Sequence, residues 1–182
     1  MPSHQQRLVD ELLVLRCQEG HRASFAQLVE RWQPRLLRHA RNLVWREEAA
    51  LDVVQDTWLV VARNVRSLKD PARLRGWLYG IVTRRAADWL RKSGRVEAER
   101  LTDLPDTAGA ASEPNTSNEV DAVRRALARL PLEKRALLAL RYADELDLTE
   151  IAEALSVPVG TVKSRLHHAR QELRAELERS QR

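Results

Sequence analysis

Apolar positions recur at steps of three and four along most of the chain, the spacing of one buried stripe on an α-helix. The pattern predicts helices near 5–17, 23–44, 48–66 and 72–93, then near 120–130 and 132–143, with a final pair after Leu148. Glu19-Gly20-His21 separates the first two helices, and Ser67 to Pro71 separates the third from the fourth. Pro34 falls inside the second, where a missing N–H and a bulky ring predict a kink or local break. In the third helix Leu51, Val54, Trp58, Val61, Ala62 and Val65 form the expected buried stripe. The opposite face carries Asp52, Gln55, Asp56, Leu59 and Arg63. Leu59 among carboxylates is either a stray surface leucine or the apolar anchor of a face that docks on a basic partner.

The periodicity stops between Thr102 and Glu119. Asp103, Asp106, Glu113 and Glu119 stand there with no base, two prolines and one large apolar side chain. Such a stretch buries too little surface to offset its ordering entropy and is expected to be a flexible acidic linker. The expected organisation is therefore all-α: an N-terminal domain over 1–97, a linker over 98–119 and a C-terminal domain over 120–182. Each domain is near the lower size limit for independent folding.

The C-terminal part has the more specific pattern. Thr149 is placed to cap a short helix whose Ile151, Ala152 and Leu155 face inward. Ser156-Val157-Pro158 makes a turn, with Val157 plugging the corner, and a second helix from about Val159 packs through Val162, Leu166 and Ala169. This is a helix-turn-helix pattern, with an ordinary helical hairpin as the alternative. The second helix turns Thr161, Lys163, Ser164, Arg165, His167, His168 and Arg170 outward, the donors and acceptors that bond base edges and phosphates. Asp144, Glu145, Asp147, Glu150 and Glu153 are acidic, so only the second helix is suited to DNA.

Composition sharpens the picture. Lys+Arg total 31 against 26 Asp+Glu, a net charge of +5 with pI near 10.0, and 27 of the cations are arginine. The fourth helix concentrates this charge: residues 73–95 hold Arg73, Arg75, Arg84, Arg85, Arg91, Lys92 and Arg95 against Asp88 alone. Leu74, Trp77, Leu78, Ile81, Val82 and Trp89 share its apolar side, with Arg73, Arg84, Arg91 and Arg95 along the border and Trp77 at the same edge. Clustered cations suit a nucleic-acid backbone and an edge aromatic suits an unpaired base, although a solvated basic face with core tryptophans has the same pattern.

Other function classes find little support. No apolar run approaches the roughly 18 residues of a membrane span, so direct membrane insertion is not expected. The N-terminal Met-Pro-Ser-His-Gln-Gln-Arg lacks a basic-then-apolar signal segment, and Cys17 is the single cysteine, so a reducing, cytoplasmic setting is expected. There is no Gly-rich phosphate loop, no Gly-x-Ser-x-Gly and no His-Glu-x-x-His. Gly20 interrupts the Cys17/His21 pair, and His167 and His168 diverge by about 100° on a helix. No catalysis, metal or cofactor is expected.

Taken in order, these segments resemble the extracytoplasmic-function (ECF, group IV) sigma factors of bacterial RNA polymerase, over about residues 18–95 and 120–178. Glu19-Gly-His-Arg-Ala-Ser-Phe25-Ala-Gln-Leu-Val-Glu-Arg-Trp32 is similar to that family's opening segment, and Asp52-Val-Val-Gln55-Asp56-Thr-Trp58-Leu59 to its core-binding stretch. Leu74-Arg-Gly-Trp77-Leu-Tyr79 through Arg91 resembles its promoter-melting, −10-reading helix, and Pro158-Val-Gly-Thr-Val-Lys-Ser-Arg-Leu166 the start of its −35-reading helix. The resemblance implies that Asp52, Gln55, Asp56 and Leu59 dock on the clamp helices of the largest polymerase subunit. It implies that Arg66, Arg73, Arg75, Trp77, Arg84, Asp88 and Arg91 serve the −10 element, and that the outward residues of the last helix serve the −35 element. Core RNA polymerase, with the flap of the second-largest subunit, promoter DNA and an anti-sigma factor are the implied partners. A stand-alone helix-turn-helix regulator of the response-regulator type shares only the C-terminal pattern; an enzyme or RNA-binding module ranks behind it. Two positions depart from the family pattern: Leu51 stands where an acid is usual, and Thr83-Arg84 where Arg-Asn is common.

Overall fold

The computed structural model describes residues 4–93 and 114–180 and is built of helices and turns, with no strand among the described residues. The N-terminal part comprises α1 (His4–Gln18), α2 (Arg22–Val44), α3 (Glu47–Asn64) and α4 (Leu74–Lys92). Two short 3₁₀ turns, Val65–Ser67 and Pro71–Arg73, lie between α3 and α4. The C-terminal part comprises α5 (Pro114–Arg129), α6 (Leu132–Leu138), α7 (Leu148–Leu155) and α8 (Val159–Ser180), with a π-helical turn at Ala139–Ala143 continuing α6.

Local chemistry sets the ends of these elements. Gly20 adopts φ 92° after α1, a left-handed conformation that a side chain would strain. Glu47 and Glu48 open α3 where the helix dipole favours negative charge. Arg41 reaches across the preceding turn to Glu47, and that hydrogen bond holds the Glu47 carboxyl below its ordinary pKa. Gln18 donates to the carbonyls of Val65 (3.0 Å) and Leu68 (2.8 Å), pinning the 3₁₀ segment to the end of α1. Asp70 caps the next turn through the Ala72 N–H, with Pro71 at the first position.

The core joins all these helices. Trp32, Leu28, Leu36, Leu43, Leu78 and Tyr79 are buried between α2 and α4, and Leu130, Leu137, Leu140 and Ile151 are buried on the C-terminal side. Buried residues of both parts form one connected cluster, because α4 packs along α7. That contact depends on glycine. A Cβ on Gly76 would lie 3.0 Å from the Glu150 carbonyl oxygen, and one on Gly80 would lie 2.7 Å from that of Ala154.

Four sequence expectations are corrected. Helix α2 runs through Pro34 without the break that is one of the two expectations there, held on both sides by buried Leu28, Trp32 and Leu36. In α3, Leu51 is 47% exposed and Ala62 is also exposed. Packing against both α2 and α4 centres the buried arc on Ala50, Val53, Thr57 and Val61 instead. Helix α5 begins at Pro114, within the stretch expected to be linker, since proline is well suited to a first helical position. Finally, Asp147 rather than Thr149 caps α7: its carboxylate accepts from the N–H groups of Thr149 and Glu150 (2.8 Å each) while Glu150 returns a bond to the Asp147 N–H. The expected linker residues 98–113, and Arg95, lie outside the described residues.

Candidate polymerase and nucleic-acid interface

Helix α3 presents Asp52, Gln55, Asp56 and Leu59 together on its exposed side, opposite the buried arc. Leu59 is 49% exposed, and exposed Leu51 borders the same face. Carboxylates around apolar side chains form a surface that attracts a cationic partner and then buries against it.

The basic segment divides into exposed and occupied cations. Arg66, Arg84 and Arg91 are exposed, and Trp77 is half-buried at the edge of the core. Asp88 pairs with Arg85 (3.1 Å) and with Arg91, which offsets part of the positive charge at the end of α4. Arg73 meets Glu153 at 3.1 Å and Asp70 at 3.6 Å. Arg75, expected to serve the −10 element, is only 12% exposed: both oxygens of Glu150 accept from it at 3.0 and 3.2 Å, and the Asp144 carbonyl accepts a further bond.

In the C-terminal part the turn residue Ser156 takes φ 56° and directs the chain from α7 into α8. Val162, Leu166 and Ala169 are buried, whereas Lys163, Ser164, Arg165, His167, His168 and Arg170 are exposed and Thr161 is partly so. The first turns of α8 thus offer one continuous polar surface. Ser164 donates to the Thr161 carbonyl and Arg170 to that of Leu166, so both side chains lie along the helix. The His167 and His168 ring centroids are 5.7 Å apart at 72°, and no cluster of metal-ligating side chains occurs among the described residues.

Residues 28–96 match the family model for sigma-70 region 2, and residues 121–173 match that for sigma-70 region 4. The ECF RNA polymerase sigma-E factor of Haemophilus influenzae is 30% identical over 91% of this chain and 94% of its own length. The chain belongs to the ECF sigma factor family. SigE of Mycolicibacterium smegmatis is 34% identical over 83% of this chain, which spans 60% of that longer protein. Two solved structures share the fold. One is CnrH in complex with the cytosolic domain of CnrY, with a TM-score of 0.71 and 26% identity over 93% of this chain and 97% of that one. The other is the sigma factor RpoE of Bartonella quintana in complex with the anti-sigma factor NepR, with a TM-score of 0.65 and 25% identity over 85% and 96%. ECF sigma factors direct transcription from promoters, and this one carries both sigma regions. None of its described helices is long and apolar enough to cross a membrane.

What the sequence reading of this sigma factor missed is the seam between regions 2 and 4. His39 and Asp144 are both fully buried there, with His39 Nδ1 2.6 Å from Asp144 Oδ2 and His39 Nε2 3.0 Å from the Thr83 hydroxyl. The Tyr79 hydroxyl donates to Asp144 at 3.2 Å, Arg38 approaches Asp144 at 3.4 Å, and buried Arg135 donates to the Leu43 carbonyl at 2.9 Å. The π-helical turn positions the acid: the Asp144 N–H bonds the Ala139 carbonyl, and Glu145 follows at φ 55°. Burial first, and then the Asp144 charge, push the Tyr79 phenol well above its ordinary pKa. Thr83, one of the departures from the family pattern, therefore has a structural partner. The other available signal was the pair of glycines four apart on α4.

Proposed function

We propose that this sigma factor docks on the clamp helices of the largest polymerase subunit through Asp52, Gln55, Asp56 and Leu59 of α3. Helix α8 enters the major groove of the −35 element, with Lys163, Ser164, His167 and His168 nearest the base edges and Arg165 and Arg170 on phosphates. The Arg66–Arg73 segment and the start of α4, with Arg75, Trp77, Arg84 and Arg91, receive unpaired bases of the −10 element. The C-terminal domain rests on the flap of the second-largest subunit. The chain performs no chemistry of its own and acts in the cytoplasm. The solved relative bound to the anti-sigma factor NepR supports an anti-sigma partner for it.

The observation that carries this reading is the exposed acidic and apolar face of α3 in a chain whose α8 also presents an exposed reading surface. A stand-alone helix-turn-helix regulator has no use for the first of these. In-vitro transcription with core enzyme on a library of randomised promoters tests it. Enrichment of one two-part promoter, dependent on this chain, supports the reading; binding to duplex DNA without any response to core enzyme would favour the regulator.

A further inference from the structure

Between α3 and α4 the chain runs through the turn Val65–Ser67, then Leu68, Lys69 and Asp70, then the turn Pro71–Arg73. Its middle is not helical: Leu68 (φ −73°, ψ 98°) and Asp70 (φ −123°, ψ 105°) are extended. Backbone carbonyls in such a stretch need partners from elsewhere in the fold. Gln18, the last residue of α1, supplies them. A glutamine amide has two N–H donors, and here both go to this loop, to the Val65 carbonyl at 3.0 Å and the Leu68 carbonyl at 2.8 Å. The Val65 carbonyl also accepts from the Leu68 N–H at 3.3 Å, so one oxygen ties the turn to itself and to α1. Val65 and Leu68 are buried and Gln18 is half-buried beside them, whereas Arg66, Ser67 and Lys69 are exposed. The Arg66 guanidinium lies against the end of α1, 3.6 Å from where a Cβ on Gly20 would stand. Helix α1 precedes residues 28–96, which match region 2, yet it packs on both turns of this loop.

Resting on the assignment of the Arg66–Arg73 segment to the −10 element, we propose that Gln18 is a positioning residue for promoter specificity. It touches no DNA. Its two bonds fix the shape of the loop, and with it the places where Arg66, Ser67 and Lys69 meet the bases. A loop released at both carbonyls can repack around a wrong base as well as around the right one, so what is lost is discrimination. Stability alone would change differently: a less stable region 2 weakens every promoter by the same factor and leaves their ranking intact.

The test is in-vitro transcription with core polymerase and full-length variants, on promoters randomised separately over the −10 and −35 elements. Gln18→Met keeps the length of the side chain without its donors. Gln18→Glu keeps its shape but turns a carboxylate towards the same carbonyls, and whichever variant folds better by circular dichroism carries the comparison. The preference for the best −10 sequence over its single-base variants should fall about fivefold, the factor of one lost hydrogen bond, with the −35 ranking unchanged. Thr57→Val is the control: it removes a buried 2.8 Å bond from the Thr57 hydroxyl to the Val53 carbonyl in α3, and should lower the melting temperature without altering either ranking. Arg66→Ala plus Lys69→Ala probes the loop directly. If that pair shifts −10 preference while loss of Gln18 leaves the ranking as it was, the proposal is overturned and the loop assignment stands. If the loop pair itself leaves −10 preference unchanged, the assignment fails and the proposal with it.

Discussion

Gly80 of α4 and Ala154 of α7 touch backbone to backbone, so closely that a Cβ on Gly80 would lie 2.7 Å from the Ala154 carbonyl oxygen and 3.2 Å from its Cα. Neither atom is the end of a flexible side chain, so relief requires one whole helix to shift. The packing of region 2 on region 4 is thus fixed by the absence of a side chain at Gly80, and at Gly76 one turn earlier.

This gives opposite signs to one kind of substitution at two helical glycines. Gly80→Ala gains up to about 1 kcal/mol of helix propensity, but forced overpacking costs about 1–3 kcal/mol, so the variant should melt lower and scatter as a more extended chain. Gly160 in α8 has nothing within 4 Å of an added Cβ. Gly160→Ala should raise stability by roughly 0.5 kcal/mol. Thermal melts with small-angle scattering check both, and a stabilised, equally compact Gly80→Ala would remove the steric argument.

On α3, Asp52→Arg with Asp56→Arg should reduce affinity for core polymerase at least tenfold, roughly 1.4 kcal/mol or more. Both carboxylates are exposed and away from the buried arc, so helicity and melting temperature should hardly change. Pull-down with purified core enzyme reads the first effect and circular dichroism the second. Undiminished core binding after charge reversal would move the docking face elsewhere.

Reading and positioning residues on α8 should separate by how their loss is distributed over promoters. Lys163→Ala or His167→Ala should cost on the order of 1–3 kcal/mol on the preferred −35 element and relax preference at one or two base pairs. Arg170→Ala should weaken all promoters alike and lower the salt slope by about one unit. Binding titrations over several salt concentrations distinguish them; a uniform loss for His167→Ala would make it a phosphate contact.

The buried phenol of Tyr79 makes an alkaline prediction. Its pKa is raised in the folded chain from the ordinary 10.0, chiefly by burial. The folded chain therefore keeps a proton that the unfolded chain gives up. Stability from this group is full below pH 10 and is lost as pH rises towards the folded pKa. In a Tyr142→Phe background, Tyr79→Phe should flatten the fall in stability between about pH 9 and 11. Urea melts across that range measure it, and parallel slopes with and without Tyr79 would show that the phenol ionises equally in both states.

The sequence was most legible where one physical signal dominates. Three- and four-residue spacing located α1 to α4 and α6 to α8, and the polar outer side of α8 was apparent from Val162, Leu166 and Ala169 alone. It was less legible where two neighbours compete for one helix. Leu51 lies outside the buried arc of α3 because α2 and α4 both pack against the Ala50 and Thr57 side. Arg75 looked available to the −10 element because no local pattern places Glu150, 75 residues later, against it. His39, Thr83 and Asp144 join across the seam through contacts that neither helical period nor composition encodes. The acids of α7 were visible as unsuited to DNA, but their partners required the fold.

The separation of Arg75 and Asp144 along the chain also orders events during synthesis. The arginine precedes the acid by 69 residues, which at about 5–20 residues per second takes roughly 3–14 seconds. During that interval Arg75 exists without Asp144 or Glu150, the groups that hold it in the folded chain, on a ribosome whose surface is itself nucleic acid. The order of translation therefore completes Arg75 before the Asp144 carbonyl and the Glu150 carboxylate that hold it, and its burial waits until the last helices emerge.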